Sequence, residues 1–396
     1  MMKNFHEIKL PYSTRCAILA AVLLVTTCLM ILAFVILPDR EMLPPPLVSD
    51  DHGGGNLSCN IFKGEWVPDP GAPRYTTETC PVIHGHYDCM RYGRPDLGFV
   101  RWRWRPEGCE LPRFDAARFL RATRGKSMAF VGDSLARNQM HSLVCLLARA
   151  EQPAPWTNAS YVFRFERHGL TVSLFWSPFL VRAVETDPDG PTRSGAGLWS
   201  LHLDEPDAGW AAHAAEFDYV VVSAGSWFFR PSMFHVHGRL VGCNGCLAPN
   251  VTDLTLRYSL RMAFRTALRA AVDAPGTGKR SGRTVVVRTL SPSHYENGDC
   301  ARARPLRRGE WEMNAVEKDM YAIQAEEFGA ARRVSNGARM LLLDATEAMA
   351  LRPDAHPSKY RLWQPDRFNV SRDCLHWCLP GAMDACNDML LHMLLH

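Results

Sequence analysis

The 396-residue sequence has almost no excess of charge: 45 lysines and arginines stand against 41 acids, a balance of +4, and 22% of residues are charged. Nothing there supplies the basic footprint that nucleic acid demands, so nucleic acid is not an expected partner. No internal repeat is visible, which sets aside solenoids and propellers. Most apolar runs are short, with one exception. Residues 17–37, AILAAVLLVTTCLMILAFVIL, are uncharged and long enough to cross a bilayer.

Lys3, Lys9 and Arg15 precede that run against Glu7 alone, and Pro38, Asp39 and Glu41 follow it. The positive-inside bias predicts a cytosolic N-terminus with everything after residue 37 outside the cytosol. A cleaved leader would have a shorter apolar core and a small-x-small exit, so a type II signal anchor is expected. The sequons at Asn56, Asn158, Asn250 and Asn369 all follow the anchor, as do eleven of the thirteen cysteines. Both observations fit an oxidising lumen. The expected organisation is a cytosolic tail (1–16), the anchor (17–37), a Pro- and Gly-rich stem (38–58) and a luminal globular domain (59–396), in the secretory pathway, at the Golgi or the cell surface.

Apolar runs at 127–131, 219–224, 284–290 and 340–343 read as buried strands. Helical spacing marks 135–149, 254–272, 314–331 and 382–395, while 183–197 and 274–283 read as loops. Alternation of the two predicts an α/β fold with a mainly parallel sheet. The stretch RWRWRP, 101–106, sets Trp102 and Trp104 on one strand face and its arginines on the other. Those tryptophans either stack on sugar or pack the core.

At MAFVGDSLARNQ, a buried strand stops at Gly132-Asp133-Ser134 before a helix whose Met140, Leu143, Val144 and Leu147 share one face. Such a turn exposes a hydroxyl at the carboxyl end of a sheet, although Asp133 or Ser134 can equally serve as a helix cap. A serine nucleophile needs a base, itself held by an acid. SRDCLHWCLPG offers Asp373 and His376 three residues apart, between Cys374 and Cys378.

GDSLARNQ and DCLHWCLPG together resemble the plant trichome-birefringence-like family, and the likeness runs from CNIFKGEWVPDP through the rest of the chain. The resemblance implies an SGNH/GDSL esterase-like α/β/α sandwich, disulfide-bonded, acting as a Golgi O-acetyltransferase on wall polysaccharides. RWRWRPEGCELP, SAGSWFFRP and GRLVGCNGC are most similar to the group acting on xyloglucan side chains, which implies galactose hydroxyls as acceptors. Xylan or mannan are alternative acceptors, and a polysaccharide acetyl esterase is the alternative reaction. A non-catalytic wall-glycan binder using Trp102, Trp104 and the arginines is the alternative class.

Residue by residue, Ser134 matches the family's nucleophile, Asp373 its acid and His376 its base. Arg137 and Asn138 match its RNQ segment, and Gly225 the glycine of a segment that often reads Gly-His-Trp-Trp but here reads GSWFF. These three are candidates for oxyanion or acceptor binding. The resemblance also implies the bridges Cys59–Cys109, Cys80–Cys145, Cys89–Cys378 and Cys300–Cys374, and leaves Cys386 as a free, alkylatable thiol. Cys243 and Cys246, with His235 and His237 upstream, have the residue types of a zinc site, but a local disulfide is expected in a lumen. No metal and no bound cofactor are expected; the acetyl donor, acetyl-CoA or an acetylated intermediate, is a co-substrate. Expected partners are the polysaccharide, the membrane through one helix, and membrane proteins supplying the donor. His84 and His86 read as loop residues.

Overall fold

The computed structural model describes residues 59–154, 161–187, 197–273, 282–300, 302–335, 337–362 and 371–396. The chain divides into Met1–Asn56 and Leu57–His396. The expected tail, anchor and stem lie outside the described residues, as do Asn56, Asn158 and Asn369. Among the described residues no helix is long and apolar enough to cross a membrane.

An N-terminal hairpin pairs β1 (Gly64–Pro68) with β2 (Trp102–Pro106), antiparallel. After α1 (Ala116–Ala122) come β3 (Ser127–Gly132) and α2 (Ser134–Ala148). Strands β4 (Val162–Phe165), β5 (Leu170–Trp176), β6 (Val181–Asp187) and β7 (Leu198–Pro206) follow. Next are β8 (Tyr219–Ser223), β9 (Ser232–Val236), β10 (Arg239–Asn244) and α3 (Thr255–Asp273). The chain then forms β11 (Thr284–Arg288), α4 (Ala315–Val334), β12 (Arg339–Leu343) and α5 (Met383–Leu395).

The four expected strands form as β3, β8, β11 and β12, and the four expected helices as α2 to α5. They build a six-stranded sheet in the order β12-β11-β8-β3-β5-β4, parallel except for the edge strand β4. Along β3, Met128 and Phe130 join one core with α2 and α5, while Ala129 and Val131 join the other with α3 and α4. A strand covered on both faces must be apolar throughout, which is why these runs were readable.

A second, mixed sheet, β10-β9-β7-β6, was not expected. Its strands bury one face more fully than the other: in β7, Leu201 and Leu203 are fully buried while His202 and Asp204 are only partly so. The expected loop at 183–197 is corrected accordingly, since β6 extends through Asp187; residues 188–196 lie outside the described residues. Of 274–283, only Gly282 and Arg283 are described, and neither belongs to a helix or strand.

Helix α2 departs from its amphipathic pattern. Apart from Arg137 it is buried all round. Its polar side is partly paired internally: Ser142 Oγ donates to Asp384 (2.6 Å), Gln139 Nε2 to Asn387 (3.3 Å), and His141 Nδ1 meets Val82 O at 3.0 Å, while Gln139 Oε1 and His141 Nε2 are buried without a partner among the described residues. Cys80–Cys145 bonds it to the N-terminal segment. Polar groups that would otherwise face water thus become a buried seam in which most, though not all, are paired.

Candidate active site

Ser134 opens α2 at the carboxyl end of β3. Gly132 permits the turn: its φ is +150°, and a Cβ there would sit 1.8 Å from Ser223 O on β8. Asp133 does cap the helix, Oδ1 accepting from Leu135 N (2.9 Å). Its Oδ2 meanwhile accepts from Gly225 N (3.2 Å), Ser226 N (3.3 Å) and Ser226 Oγ (2.8 Å), binding the GSWFF segment to the serine's turn.

The second half of the site comes from 242 residues further on. His376 Nε2 lies 2.6 Å from Ser134 Oγ, and its Nδ1 lies 2.8 Å from Asp373 Oδ2. Asp373 Oδ1 accepts from Leu375 N (3.2 Å) and His376 N (3.0 Å), so the acid also folds the loop that carries the base. Burial alone would raise the Asp373 carboxyl; hydrogen bonds from the ring and backbone of His376 outweigh it and hold the group well below the usual carboxylate range. Ionised Asp373 on Nδ1 leaves Nε2 to receive the serine proton, the arrangement that makes a hydroxyl nucleophilic. Serine, histidine and acid therefore meet as the sequence led one to expect.

The other candidates are distributed differently. Asn138 is fully buried and holds the base's loop at both sides of Trp377: its Oδ1 accepts from Trp377 N (2.8 Å) and its Nδ2 donates to Trp377 O (3.2 Å). It is no acceptor-binding group. Gly225 N is engaged by Asp133, which removes it as an oxyanion donor; the Ser134 N–H, at the first position of α2, is the remaining backbone candidate. Arg137 stays at the site, its Nε donating to Tyr87 Oη at 3.2 Å, and Tyr87 Oη donates to Ser134 O at 2.9 Å.

For Trp104 the core alternative holds and the sugar-stacking one falls: at 2% exposure, edge-on to Trp66 and with Nε1 donating to Ile61 O (2.9 Å), it offers sugar no face. Trp102 is half-buried and borders a groove with Arg105 and Arg308.

All four bridges form. Cys243–Cys246 forms as well, which takes both thiolates from the zinc alternative. His235 instead stacks on His202 with ring centres 5.0 Å apart, and His237 pairs with Asp204 at 2.9 Å. Among the described residues the one convergent set of ligand types is Asp299, Cys300 and Cys374, whose sulfurs are bonded to each other. Cys386 is free but 1% exposed, and burial pushes its thiol up to about 11, so alkylation requires unfolding. Asn250 lies on an exposed turn.

Several residues at the site were missed. His84 and His86 do lie at a short turn between longer elements, but at the site: the His84 ring is tilted against Tyr87 (5.2 Å), whose ring is 5.6 Å from that of His376. Burial, reinforced by Arg137, pushes His84 down to about 3. His356 Nδ1 donates to His376 O at 2.6 Å from a fully buried ring against Trp377. A cavity of about 560 Å³ opens beside Asp133 and Leu375, with Ser226, Phe229, Ser291 and Ser293 in its walls. No local sequence pattern links these segments.

A serine on a Gly-Asp-Ser turn, with its base and acid on a late Asp-x-x-His loop, defines an SGNH-like acyl-transfer site. Residues 111–393 match the GDSL/SGNH-like acyl-esterase family found in Pmr5 and Cas1p, and residues 57–110 match the PMR5 N-terminal domain. The chain belongs to this PC-esterase family and is an O-acetyltransferase. It is 45% identical to protein trichome birefringence-like 19 of Arabidopsis thaliana, over 85% of this chain and 81% of that one. It is 39% identical to xyloglucan O-acetyltransferase 4 of Populus trichocarpa (85% and 81%) and 38% to xyloglucan O-acetyltransferase 1 of Arabidopsis thaliana (87% and 82%).

Proposed function

We propose that the protein transfers acetyl groups to hydroxyls of xyloglucan side chains, on galactose residues, through an acetyl-Ser134 intermediate. The observation that carries this is the 2.6 Å contact between His376 Nε2 and Ser134 Oγ, with Asp373 on the far nitrogen. His376 takes the Oγ proton as Oγ attacks the donor's acetyl carbonyl. The oxyanion forms against the Ser134 N–H at the helix N-terminus. The leaving group departs with the proton from His376. A sugar hydroxyl then gives its proton to His376, attacks the acetyl carbon and releases Ser134 Oγ, which regains the proton.

The acceptor rests on the names of relatives at 38–39% identity. The donor is acetyl-CoA or an acetylated intermediate handed over by membrane proteins. Five disulfides among the described residues, together with the apolar run at 17–37, support a luminal catalytic domain (59–396) on a type II Golgi anchor, with the polysaccharide and the membrane as partners.

Labelled acetyl donor and unacetylated xyloglucan oligosaccharide, with products weighed by mass spectrometry, test the reading. Labelled sugar is expected from the wild type, and Ser134→Ala should lower its rate by several orders of magnitude without unfolding. Release of acetate with no labelled sugar makes the protein an esterase. Labelling of xylan or mannan in preference moves the acceptor. Glycan retention with no acetyl change in either form makes it a binder.

A further inference from the structure

Trp176 ends β5 directly opposite Gly132 of β3, and Ser177 N donates to Gly132 O at 2.9 Å. Its indole therefore starts two residues from the nucleophile, on the neighbouring strand. Val172 and Leu174, on the same face of β5, are 0% and 9% exposed, whereas Trp176 is 42% exposed. Nothing in the packing of a sheet requires the largest side chain of a strand to be its most open.

The ring is nevertheless held. Trp227, from the GSWFF segment that Asp133 binds, meets it edge-on with ring centres 5.6 Å apart. Trp227 rests in turn on Phe179 (5.7 Å) and Trp199 (5.6 Å), and Arg230 covers it at 3.9 Å. Arg137, in the first turn of α2, also brings its guanidinium 5.3 Å from the Trp176 ring centre. Arg137 is the group that bonds Tyr87, which bonds the Ser134 carbonyl. The open indole is thus fixed to the reaction centre through both of its neighbours.

A rigid, half-open indole flanked by the Arg137 guanidinium matches the chemistry of a pyranose ring. The C–H face of a sugar packs on the π-face, and its hydroxyls find planar donors beside it. We propose that Trp176, backed by Trp227 and flanked by Arg137, is the sugar-stacking subsite that seats a neutral polysaccharide acceptor beside Ser134. This moves the aromatic platform away from Trp102 and Trp104. The subsite rests on the acyl-transfer reading of Ser134, because it presents the sugar to that serine.

Oligosaccharide affinity is best measured in the Ser134→Ala background, where turnover plays no part, so that failure of the triad and failure of the subsite are told apart. Adding Trp176→Ala should weaken binding of a xyloglucan oligosaccharide about tenfold or more, and Trp176→Phe should restore most of it. In the Ser134 protein the same change should raise the KM for the oligosaccharide more than it lowers kcat. Oxidative footprinting of the wild type needs no variant: Trp176 should be modified in the free protein and protected by the oligosaccharide. Unchanged affinity in a folded Trp176→Ala protein, or a Trp176 oxidised equally with and without sugar, would overturn the subsite.

Discussion

Asn138 shows how a residue far from the reacting atoms can govern them. It touches no proton in flight, but it fixes the backbone of Trp377, the neighbour of His376, through two hydrogen bonds. His356 fixes the carbonyl of His376 itself. Catalytic geometry tolerates little drift, and a displacement near 1 Å costs about a hundredfold in rate. Asn138→Ala should therefore lower kcat about 10- to 100-fold with little change in donor KM, and Asn138→Asp, which keeps the acceptor but loses the donor, should fall between. A rate loss that merely follows the unfolded fraction in thermal melts would show that Asn138 only stabilises the fold. Ser134, Asp373 and His376 were legible because each sits in a local motif. The binding roles expected of Asn138 and Gly225 fell, and the choice left open for Trp104 was undecidable from sequence, because their partners come from other elements, Trp377 being 239 residues beyond Asn138.

Among the described residues, the loop carrying Asp373 and His376 has no helix or strand of its own, apart from an isolated bridge between Ser358 and Asp373. Its stiffness comes from cross-links. Cys300–Cys374 and Cys89–Cys378 flank His376, each closing a long stretch of chain. Arg94 adds a bond to His356 O (2.6 Å). Mild reduction, or Cys89→Ser, should abolish acetyl transfer before it abolishes the α/β fold, a difference visible by following activity and far-ultraviolet circular dichroism together. Activity persisting until global unfolding would mean that Asn138, His356 and Arg94 hold the loop unaided. The main-sheet strands were readable because burial on both faces demands continuous apolar sequence. The β6–β7–β9–β10 sheet escaped because its strands share their apolar residues with one core only and interleave His, Arg and Asp.

Acidification draws on groups spread through the whole molecule. His141 lies buried on α2, and burial, helped by nearby His84, pushes its imidazole down to about 3. In the unfolded chain it titrates near 6.5. Between those values the unfolded state binds a proton that the native state does not, so this group removes stability as pH falls from about 6.5, by at most about 1.4 kcal/mol per pH unit. Asp373, with its depressed value, adds stability that is present above the ordinary carboxylate range and lost only as pH falls below it. His141→Gln keeps a donor for Val82 O but removes the titration. The thermal-stability advantage of the wild type over this variant should shrink steadily from pH 7 to pH 4.5; an advantage constant across that range would contradict the buried neutral imidazole.

The whole account turns on Ser134 carrying the acetyl group between donor and sugar. Rapid quenching after mixing with labelled donor, followed by peptide mapping, measures that directly. Label is predicted on the peptide containing Ser134 and nowhere else, building up without acceptor and passing to the sugar when xyloglucan oligosaccharide is added. Labelled sugar formed with no acetyl-Ser134 at any quench time, and formed equally by a folded Ser134→Ala protein, would contradict it.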